Sequence, residues 1–295
     1  MNKLDTAKQI YEKAIEAHQP KYVFNLLSGG HDSLSITHFI QSYFSGVEAV
    51  IHIDTGIGIP ETQEFVKKVC SDFGWTLKIY RSVNNINAKG EPDPQIYEDL
   101  VKKFGFPGAY GHGLMYQRLK ERQIGRICRD YNAKPKTPIM FISGGRRHES
   151  ARRMKTFAEP VQDKGRMIWC APFFDFTEDD QAEYMENHQL PRNPVKDILG
   201  MSGECLCGAY AKEGELDRIR KHYPDVANRI EALENEVIAA GFPWGWEDSV
   251  PAWYTKKKLM DNFGQEDFFD IERDEVLSDQ GFQPLCTTCN YNGSL

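Results

Sequence analysis

The chain has 295 residues, of which 40% are hydrophobic and 27% charged, as in an ordinary soluble globular enzyme. Its net charge of −7 does not favour a general attraction to nucleic acid, and no apolar run approaches the roughly 20 residues that span a bilayer. The N-terminus is not signal-like, so we expect a cytoplasmic protein with no membrane contact. The length allows one large or two modest domains.

A loop of glycines and serines at 28–33 follows a predicted buried strand at 22–27 and precedes a predicted helix that begins near 34. At such a turn backbone N–H groups converge on an anion, two glycines permit close approach, and serine hydroxyls add donors. Asp32 fits a helix cap, or a carboxylate that holds the loop or a metal ion. The loop lacks the GxxxxGK[ST] spacing of P-loop NTPases, which argues against that class of protein. The simpler alternative to an anion site is a glycine turn before an ordinary helix. The predicted phosphate-binding residues are Ser28, Gly29, Gly30, His31, Asp32 and Ser33.

A strand-helix rhythm continues beyond this loop. We predict strands at 47–53 and 75–80 with a helix from Pro60 to about Cys70 between them. This order indicates an α/β fold, a doubly wound and mostly parallel sheet whose ligands bind at the carboxyl ends of the strands. Such an end holds three further candidate nucleotide contacts, namely Asp54, Thr55 and Gly56. A carboxylate there can bond a ribose or an adenine edge, although helix capping is the structural alternative.

A second candidate anion loop lies further along. The polar stretch 83–113 reads as an insertion over the strand ends, with a helical part near 95–104, and a helix is predicted over 115–130. A strand at 138–142 then leads into two glycines and paired arginines, whose planar forks bind phosphate or sulfate with two bonds. The predicted contacts are Gly144, Gly145, Arg146 and Arg147.

The last third of the chain changes character. A strand is predicted within 167–176 and a capped helix from Thr177 to about His188, and 190–194 ends the first domain. We therefore divide the chain into a nucleotide-binding domain, 1–195, and a smaller, largely helical, cysteine-containing and metal-binding region, 196–295.

Positive charge is concentrated between Arg118 and Lys155, where 12 basic residues stand against 3 acidic ones. Such a block can be a solvated face, but its glycines fit a phosphate-binding surface better. A nucleic-acid acceptor held by residues 118–155 is one candidate partner.

Seven cysteines without an export signal favour metal binding or thiol chemistry over disulfides. A CxC pair and a CxxC pair about 80 residues apart can supply four thiolates to one zinc or iron–sulfur site, although unrelated free thiols are the alternative. Five cysteines compete for the four places: Cys128, Cys205, Cys207, Cys286 and Cys289. If the two pairs hold the metal, Cys128 is left as a sulfur-carrying nucleophile. If Cys128 is itself a ligand, one of Cys205 and Cys207 is spare. Cys70 and Cys170 fit core positions.

Taken in order, these features resemble the phosphoadenosine phosphosulfate (PAPS) reductase family of the PP-loop ATP-pyrophosphatase superfamily over roughly residues 20–210. The features are the loop at 28–33, the stretches 52–56 and 60–62, Cys128, Gly144 to Arg147 with Ser150 and Arg153, and 190–194 before a cysteine pair. Three departures stand out. His31 replaces the usual lysine, the glutamate-cysteine-glycine tail of the reductases is missing, and the cysteine spacing is closer to the DNA phosphorothioation-type sulfur-transfer branch.

The resemblance implies an adenine nucleotide-dependent enzyme of sulfur metabolism, with a [4Fe-4S] cluster preferred over zinc. In one version ATP with Mg²⁺ loses pyrophosphate to activate an acceptor for sulfur insertion, with a sulfur-donor protein as partner. In the second, APS or PAPS is reduced to sulfite, and in the third the chain is a non-catalytic nucleotide- or nucleic-acid-binding subunit. The candidate catalytic residues are Asp32, Arg146, Arg147 and Cys128.

Overall fold

The computed structural model describes residues 2–147 and 159–254. Within them six strands form one sheet in the order β3-β2-β1-β4-β6-β5. All neighbouring strands are parallel except β5, which runs antiparallel to β6. The predicted doubly wound, mostly parallel α/β fold is confirmed. The strands are β1 Tyr22–Leu26, β2 Val47–Asp54, β3 Leu77–Arg81, β4 Ile139–Ile142, β5 Val161–Asp163 and β6 Met167–Cys170.

The helices surround this sheet and extend beyond it toward the C-terminal side of the described chain. In chain order they are α1 Lys3–His18, α2 His31–Tyr43, α3 Pro60–Asp72, α4 Tyr97–Phe104, α5 Gly108–Tyr116, α6 Arg122–Asp130, α7 Glu178–Asn187, α8 Pro194–Leu199, α9 Glu215–His222 and α10 Pro224–Ala239. None of these helices is long and apolar enough to cross a bilayer, in the part of the chain that the structure describes.

Local chemistry explains several helix boundaries. α7 begins with a capping box, in which the Thr177 hydroxyl accepts from the Asp180 N–H and the Asp180 carboxylate accepts from the Thr177 N–H. The helix predicted over 115–130 contains a π-helical turn, Gln117–Glu121, that joins α5 to α6. The charged stretch 213–240 forms two helices, because Pro224 cannot continue α9 and instead starts α10.

Two apolar clusters cover the faces of the sheet. One packs α1, α2, α3 and α7 against one face, and its members include Phe39, Val66 and Ile168. The other packs α6 against the opposite face, where Ile124 and Ile127 meet Ile51. Because both faces are covered, the central strands are mostly apolar, and all four residues of β4 are apolar and buried.

A third apolar cluster lies beyond the sheet. It combines α4 and α5 with α8 to α10, and Trp244 and Trp246 are almost completely buried in it. Residues before and after position 195 thus share one core, and the division into two domains at that position stays a prediction.

The topology brings two loops to one point. β1 lies between β2 and β4, so the connections after β1 and after β4 leave the same edge of the sheet where the strand order reverses. The two connections are in contact there. A side-chain carbon placed on Gly144 would lie 2.8 Å from the Ser33 backbone nitrogen and 2.8 Å from the Asp32 carbonyl carbon. Only glycine fits between the second loop and the start of α2.

We expect Gly144→Ala to lower the free energy of unfolding by about 1–3 kcal/mol, because the added methyl group meets backbone that cannot rotate away. Gly113→Ala is the matched control, since a side-chain carbon on Gly113 of α5 meets nothing within 4 Å. This control should be neutral or raise the stability by up to about 1 kcal/mol. Urea denaturation of both variants measures the difference, and equal stability would contradict the close packing of the two loops.

Candidate functional site

The loop before α2 is closed by its own serines. The Ser33 hydroxyl donates to the Gly30 carbonyl at 2.9 Å and accepts from the Ser28 N–H at 3.2 Å. The Ser28 and Ser33 hydroxyl oxygens are 3.1 Å apart. Gly29 has a φ of +86°, a conformation that residues with a side chain rarely adopt. The predicted phosphate loop is thereby held in one shape before any ligand arrives.

Asn193 fastens this loop from outside. Its amide nitrogen donates to the Gly29 carbonyl at 2.9 Å, and its Oδ1 accepts from the Val195 N–H at 3.0 Å as the cap of α8. The side chain is completely buried. In the sequence Asn193 is part of the predicted domain end at 190–194 and of the family resemblance, and an asparagine before proline is a recognisable helix start. The loop contact itself depends on tertiary structure, so the local pattern gave no sign of it.

The two candidate anion loops share an ion pair. Arg146 Nε lies 2.6 Å from Asp32 Oδ1, and Arg146 Nη2 donates to Asp32 Oδ2 at 3.3 Å. Only 11% of the arginine side chain and 25% of the aspartate side chain are exposed. A planar guanidinium held from one side by a carboxylate is pre-oriented for an anion. Asp32 thus positions Arg146 in this structure.

Arg147 takes a different direction from Arg146. Its Nε lies 3.0 Å from Asp175 Oδ1, and its guanidinium stacks 4.9 Å from the centre of the Phe174 ring. Nearly half of the Arg147 side chain is exposed. The paired arginines of the sequence therefore have separate surroundings, and Arg146 is the one in contact with the loop at 28–33.

His31 is the side chain in place of the usual lysine, and it is mostly buried. Its Nε2 lies 3.7 Å from Asp197 Oδ1, beyond hydrogen-bond distance. Burial, and then the positive charge of Arg192, lower the pKa of His31 below its ordinary 6.5. The imidazole is therefore neutral at pH 7 and gains a charge only when the solution is acidified or when an anion binds beside it.

A pocket opens between these loops and the ends of β1 and β2. Lys120 of the π-helical turn and Glu204 form an ion pair in its wall, with 2.7 Å between Lys120 Nζ and Glu204 Oε2. Each side chain is only 4% exposed. The remaining lining residues are Leu26, Leu27, Ser28, Ser33, Ile51, Ile53, Ser143 and Gly144.

The Lys120–Glu204 pair was not among the predicted site residues. Lys120 was counted in the basic block, and Glu204 was one more acidic residue before Cys205. Their pairing joins positions 84 residues apart in sequence, so no local spacing could show it. The strong burial of two opposite charges in a pocket wall is nonetheless typical of functional sites.

The predicted contacts after β2 have structural partners. The Asp54 carboxylate accepts from the Gly56 N–H at 2.9 Å and from Gln63 Nε2 at 2.8 Å, and it lies 3.2 Å from Arg81 Nε. The Thr55 hydroxyl donates to the Glu204 carbonyl at 3.0 Å. These residues fix the end of β2 against α3 and the Glu204 segment, and a nucleotide contact for Asp54 stays a prediction.

Cys205 directly follows Glu204 of the pocket wall, and Cys207 comes two residues later; both are buried. Tyr97 Oη donates to the Cys207 carbonyl at 3.1 Å, and Trp246 Nε1 donates to the Leu206 carbonyl at 3.0 Å. A hydrogen bond with Cys207, followed by burial, raises the pKa of the Cys205 thiol well above its usual range, while the charge of Lys120 acts in the opposite direction. The loop is thus rigid, dry and close to the ion pair.

The other predicted metal ligands are not brought to this loop within the described residues. Cys128 lies on α6, where it is buried in a different apolar cluster, and burial raises its pKa to about 12. A thiol with that pKa is a poor nucleophile at neutral pH. Cys286 and Cys289 lie outside the described residues, and within the described ranges no group of three potential ligands stands together.

Most described cations of the basic block are bonded within the protein. Arg122 pairs with Asp93, and Arg126 donates to the Asn84 carbonyl at 2.6 Å. Arg129 donates to the Ile86 carbonyl, so these arginines hold the polar insertion 83–93 against α6. The part of the block from 148 onward, with Ser150 and Arg153, lies outside the described residues. A nucleic-acid surface on this block stays a prediction.

Known proteins are similar to this chain over stretches of different length. The sequence model of a family described as "Phosphoadenosine phosphosulfate reductase domain" matches residues 22–198. An uncharacterized protein of Methanocaldococcus jannaschii is 24% identical over 272 residues, which are 88% of this chain and 59% of that protein. The chain thus spans well under two thirds of that relative.

Two further similar proteins are PAPS reductases. The enzyme of Thiocapsa roseopersicina is 28% identical over 185 residues, covering 62% of this chain and 70% of that enzyme. Among solved structures, the phosphate complex of PAPS reductase from Candida auris matches with a TM-score of 0.46 and 18% identity, covering 66% of this chain and 85% of that one.

We expect Lys120→Met to lower the free energy of unfolding by about 3–5 kcal/mol, since it leaves the Glu204 charge buried without its partner. Lys134→Met is the matched control on an exposed position and should change the stability by no more than about 0.5 kcal/mol. Chemical denaturation at neutral pH checks both values. A Lys120→Met protein as stable as its control would contradict a buried ion pair.

We expect sulfate to bind the loop more tightly as the pH falls toward and through 6.5. Bound sulfate favours the charged imidazole and so raises the low pKa of His31, and each unit of that rise corresponds to about tenfold in affinity. Sulfate keeps its charge throughout this range, so calorimetric titration between pH 8 and 5.5 isolates the histidine. His31→Gln should flatten the dependence. An equal slope in this variant would exclude His31 as its source.

Proposed function

We propose, since the chain belongs to the phosphoadenosine phosphosulfate reductase domain family, that it binds an adenine nucleotide in the pocket between the two glycine loops and carries out sulfur chemistry on it. The favoured reaction is of the ATP-pyrophosphatase type, in which ATP activates an acceptor for sulfur insertion. The whole protein's substrate and partners form part of this proposal.

One observation supports the proposal above the others. The Cys205–Cys207 pair adjoins Glu204, and Glu204 lines the same pocket as Ser28 and Ser33 of the phosphate loop. Cys205 is therefore the chain neighbour of a residue that lines the same pocket as the anion loop. Nucleotide-dependent sulfur chemistry requires that proximity, whereas nucleotide binding alone does not.

The chain's own residues suit the activation step. Phosphates would bind the N–H groups at the start of α2 and the hydroxyls of Ser28 and Ser33, and Mg²⁺ would neutralise part of their charge. An acceptor oxygen would attack the α-phosphorus, the bond to the β-phosphate would break, and pyrophosphate would leave. Arg146, oriented by Asp32, would stabilise the negative charge that develops in this step. Sulfur would then displace AMP from the activated acceptor.

The similar PAPS reductases favour a second candidate, the reduction of APS or PAPS to sulfite. In that reaction a thiolate attacks the sulfur atom, and the glycine loops hold the sulfate and the nucleotide phosphates. Cys286 or Cys289 would have to supply that thiolate, because Cys128 is buried with a pKa near 12.

A [4Fe-4S] cluster fits the donor chemistry of the cysteine pair, with zinc as the alternative. Cys205 and Cys207 are two soft donors in contact with one another within a rigid loop, and Cys286 and Cys289 would complete the set of four. Such a group would supply a site at which sulfur is held or delivered. The residues of this chain would fix that site next to the nucleotide pocket.

Product analysis decides between the two reactions. Protein purified without oxygen is incubated separately with ATP and Mg²⁺, with APS and with PAPS, the last two with a thiol reductant. We expect pyrophosphate and AMP from ATP, and a loss of at least 100-fold in Asp32→Ala because Arg146 loses its orientation. Asp72→Ala removes a surface ion pair with Lys68 and is the matched control. Sulfite release would favour the reductase, and an unchanged rate in Asp32→Ala would refute the assigned site.

Metal content tests the cysteine assignment. We expect Cys205→Ala to lose most of the iron, or of the zinc, that anaerobically purified protein contains, since it removes one of four thiolate ligands. Cys70→Ala removes a buried thiol of α3 and should retain the metal. Elemental analysis per chain measures both variants. Full metal content in Cys205→Ala would remove this residue from the ligand set.

A further inference from the structure

The pocket has two chemically different ends. The loops after β1 and β4 present serine hydroxyls and glycine backbone, which suit phosphate. Leu26, Ile51 and Ile53 from β1 and β2 instead present apolar surface, which suits a flat base. Because β2 and β4 lie on opposite sides of β1, the apolar end and the second anion loop lie on opposite sides of the phosphate loop.

Glu204 belongs to the apolar end. Its backbone carbonyl accepts from the Thr55 hydroxyl at 3.0 Å, so it is tied to the residue that follows β2. A side-chain carbon on Gly58 would lie 2.5 Å from the same carbonyl, which shows how closely this backbone packs on the β2 loop. The backbone of Glu204 is therefore fixed against the loop after β2, and the residue lines the same pocket as the β2 residues Ile51 and Ile53.

One carboxylate oxygen of Glu204 has a partner and the other does not. Oε2 accepts from Lys120 Nζ at 2.7 Å, whereas Oε1 is buried and has no hydrogen-bond partner among the described residues. A buried carboxylate oxygen without a donor is costly, and a ligand that supplies a donor recovers that free energy. The bound molecule is the natural source, since Glu204 lines the pocket that it would enter.

We propose that Glu204 reads the base of the nucleotide, with Oε1 accepting a hydrogen bond from the exocyclic amino group of adenine. This inference rests on the proposed binding of an adenine nucleotide and adds a specificity determinant to it. It does not depend on the choice of reaction, because ATP, APS and PAPS all contain adenosine 5′-phosphate. A base without the amino group leaves Oε1 unpaired in a dry pocket, and sites of this kind reject such analogues strongly.

Calorimetric binding of AMP and of purine riboside 5′-monophosphate tests the inference, because the second molecule differs only by lacking the amino group. We expect the wild-type chain to bind AMP at least tenfold more tightly. The double variant Lys120→Met/Glu204→Leu replaces the ion pair by apolar groups, which buried pairs tolerate far better than the loss of one partner. In it the preference should fall below about twofold. Glu215→Gln, a buried glutamate on α9, is the matched control and should keep the wild-type preference.

The outcomes separate the inference from the proposed function. Equal wild-type affinity for the two nucleotides, or a preference that survives in the double variant, overturns the role of Glu204 alone. A loss of affinity for 2′- or 3′-deoxyadenosine monophosphate that disappears in the double variant would show a ribose hydroxyl to be the donor, which also overturns it. If the wild-type chain binds neither AMP nor ATP, the proposed function itself fails.

Discussion

The close contact of two backbone loops at one edge of the sheet is the constraint on which the rest of the site depends. Gly144 lies against the first residues of α2, and Asn193 holds the Gly29 carbonyl from the other side. A side-chain carbon on either glycine would lie within 3 Å of a neighbouring residue, so neither position accepts a larger side chain without a shift. The ion pair between Arg146 and Asp32, and the pocket below it, follow from this fixed separation.

The segment 202–207 connects this site to the C-terminal part of the described chain. The Ile59 N–H donates to the Gly203 carbonyl at 2.7 Å, and Thr62 donates to the Ser202 carbonyl. The same short stretch thus contacts the α3 entry, contributes Glu204 to the pocket and presents Cys205 beside it. A displacement of this segment would alter the pocket wall and the thiol pair together. The pocket wall and the thiol pair are coupled because their residues are neighbours in the chain.

The sequence was sufficient for the features that depend on local pattern. Apolar runs followed by glycine turns located β1, β2 and β4 and placed both candidate anion loops at their ends, because parallel strands share one edge. The capping box at Thr177 likewise needs only neighbouring residues. By contrast β5, three residues with no buried side chain, has no apolar signal and was missed.

Features that depend on tertiary packing could not be predicted. Lys120 was assigned to a basic surface, yet burial and Glu204 place it in a pocket wall. Arg146 and Arg147 are equivalent in sequence, but one faces Asp32 and the other Asp175. Cys128 looked available as a ligand or nucleophile because sequence position gives no measure of burial. In each case contacts with residues distant in the chain determine the surroundings of the side chain.

The proposed function depends above all on an adenine nucleotide occupying the pocket between the two glycine loops. A crystal structure of the chain with a non-hydrolysable ATP analogue and Mg²⁺ tests it most directly. We expect the phosphates of the bound analogue on the N–H groups and hydroxyls of residues 28–33 and its base against Ile51 and Ile53. Well-ordered nucleotide at any other place, with this pocket holding only water, would contradict it.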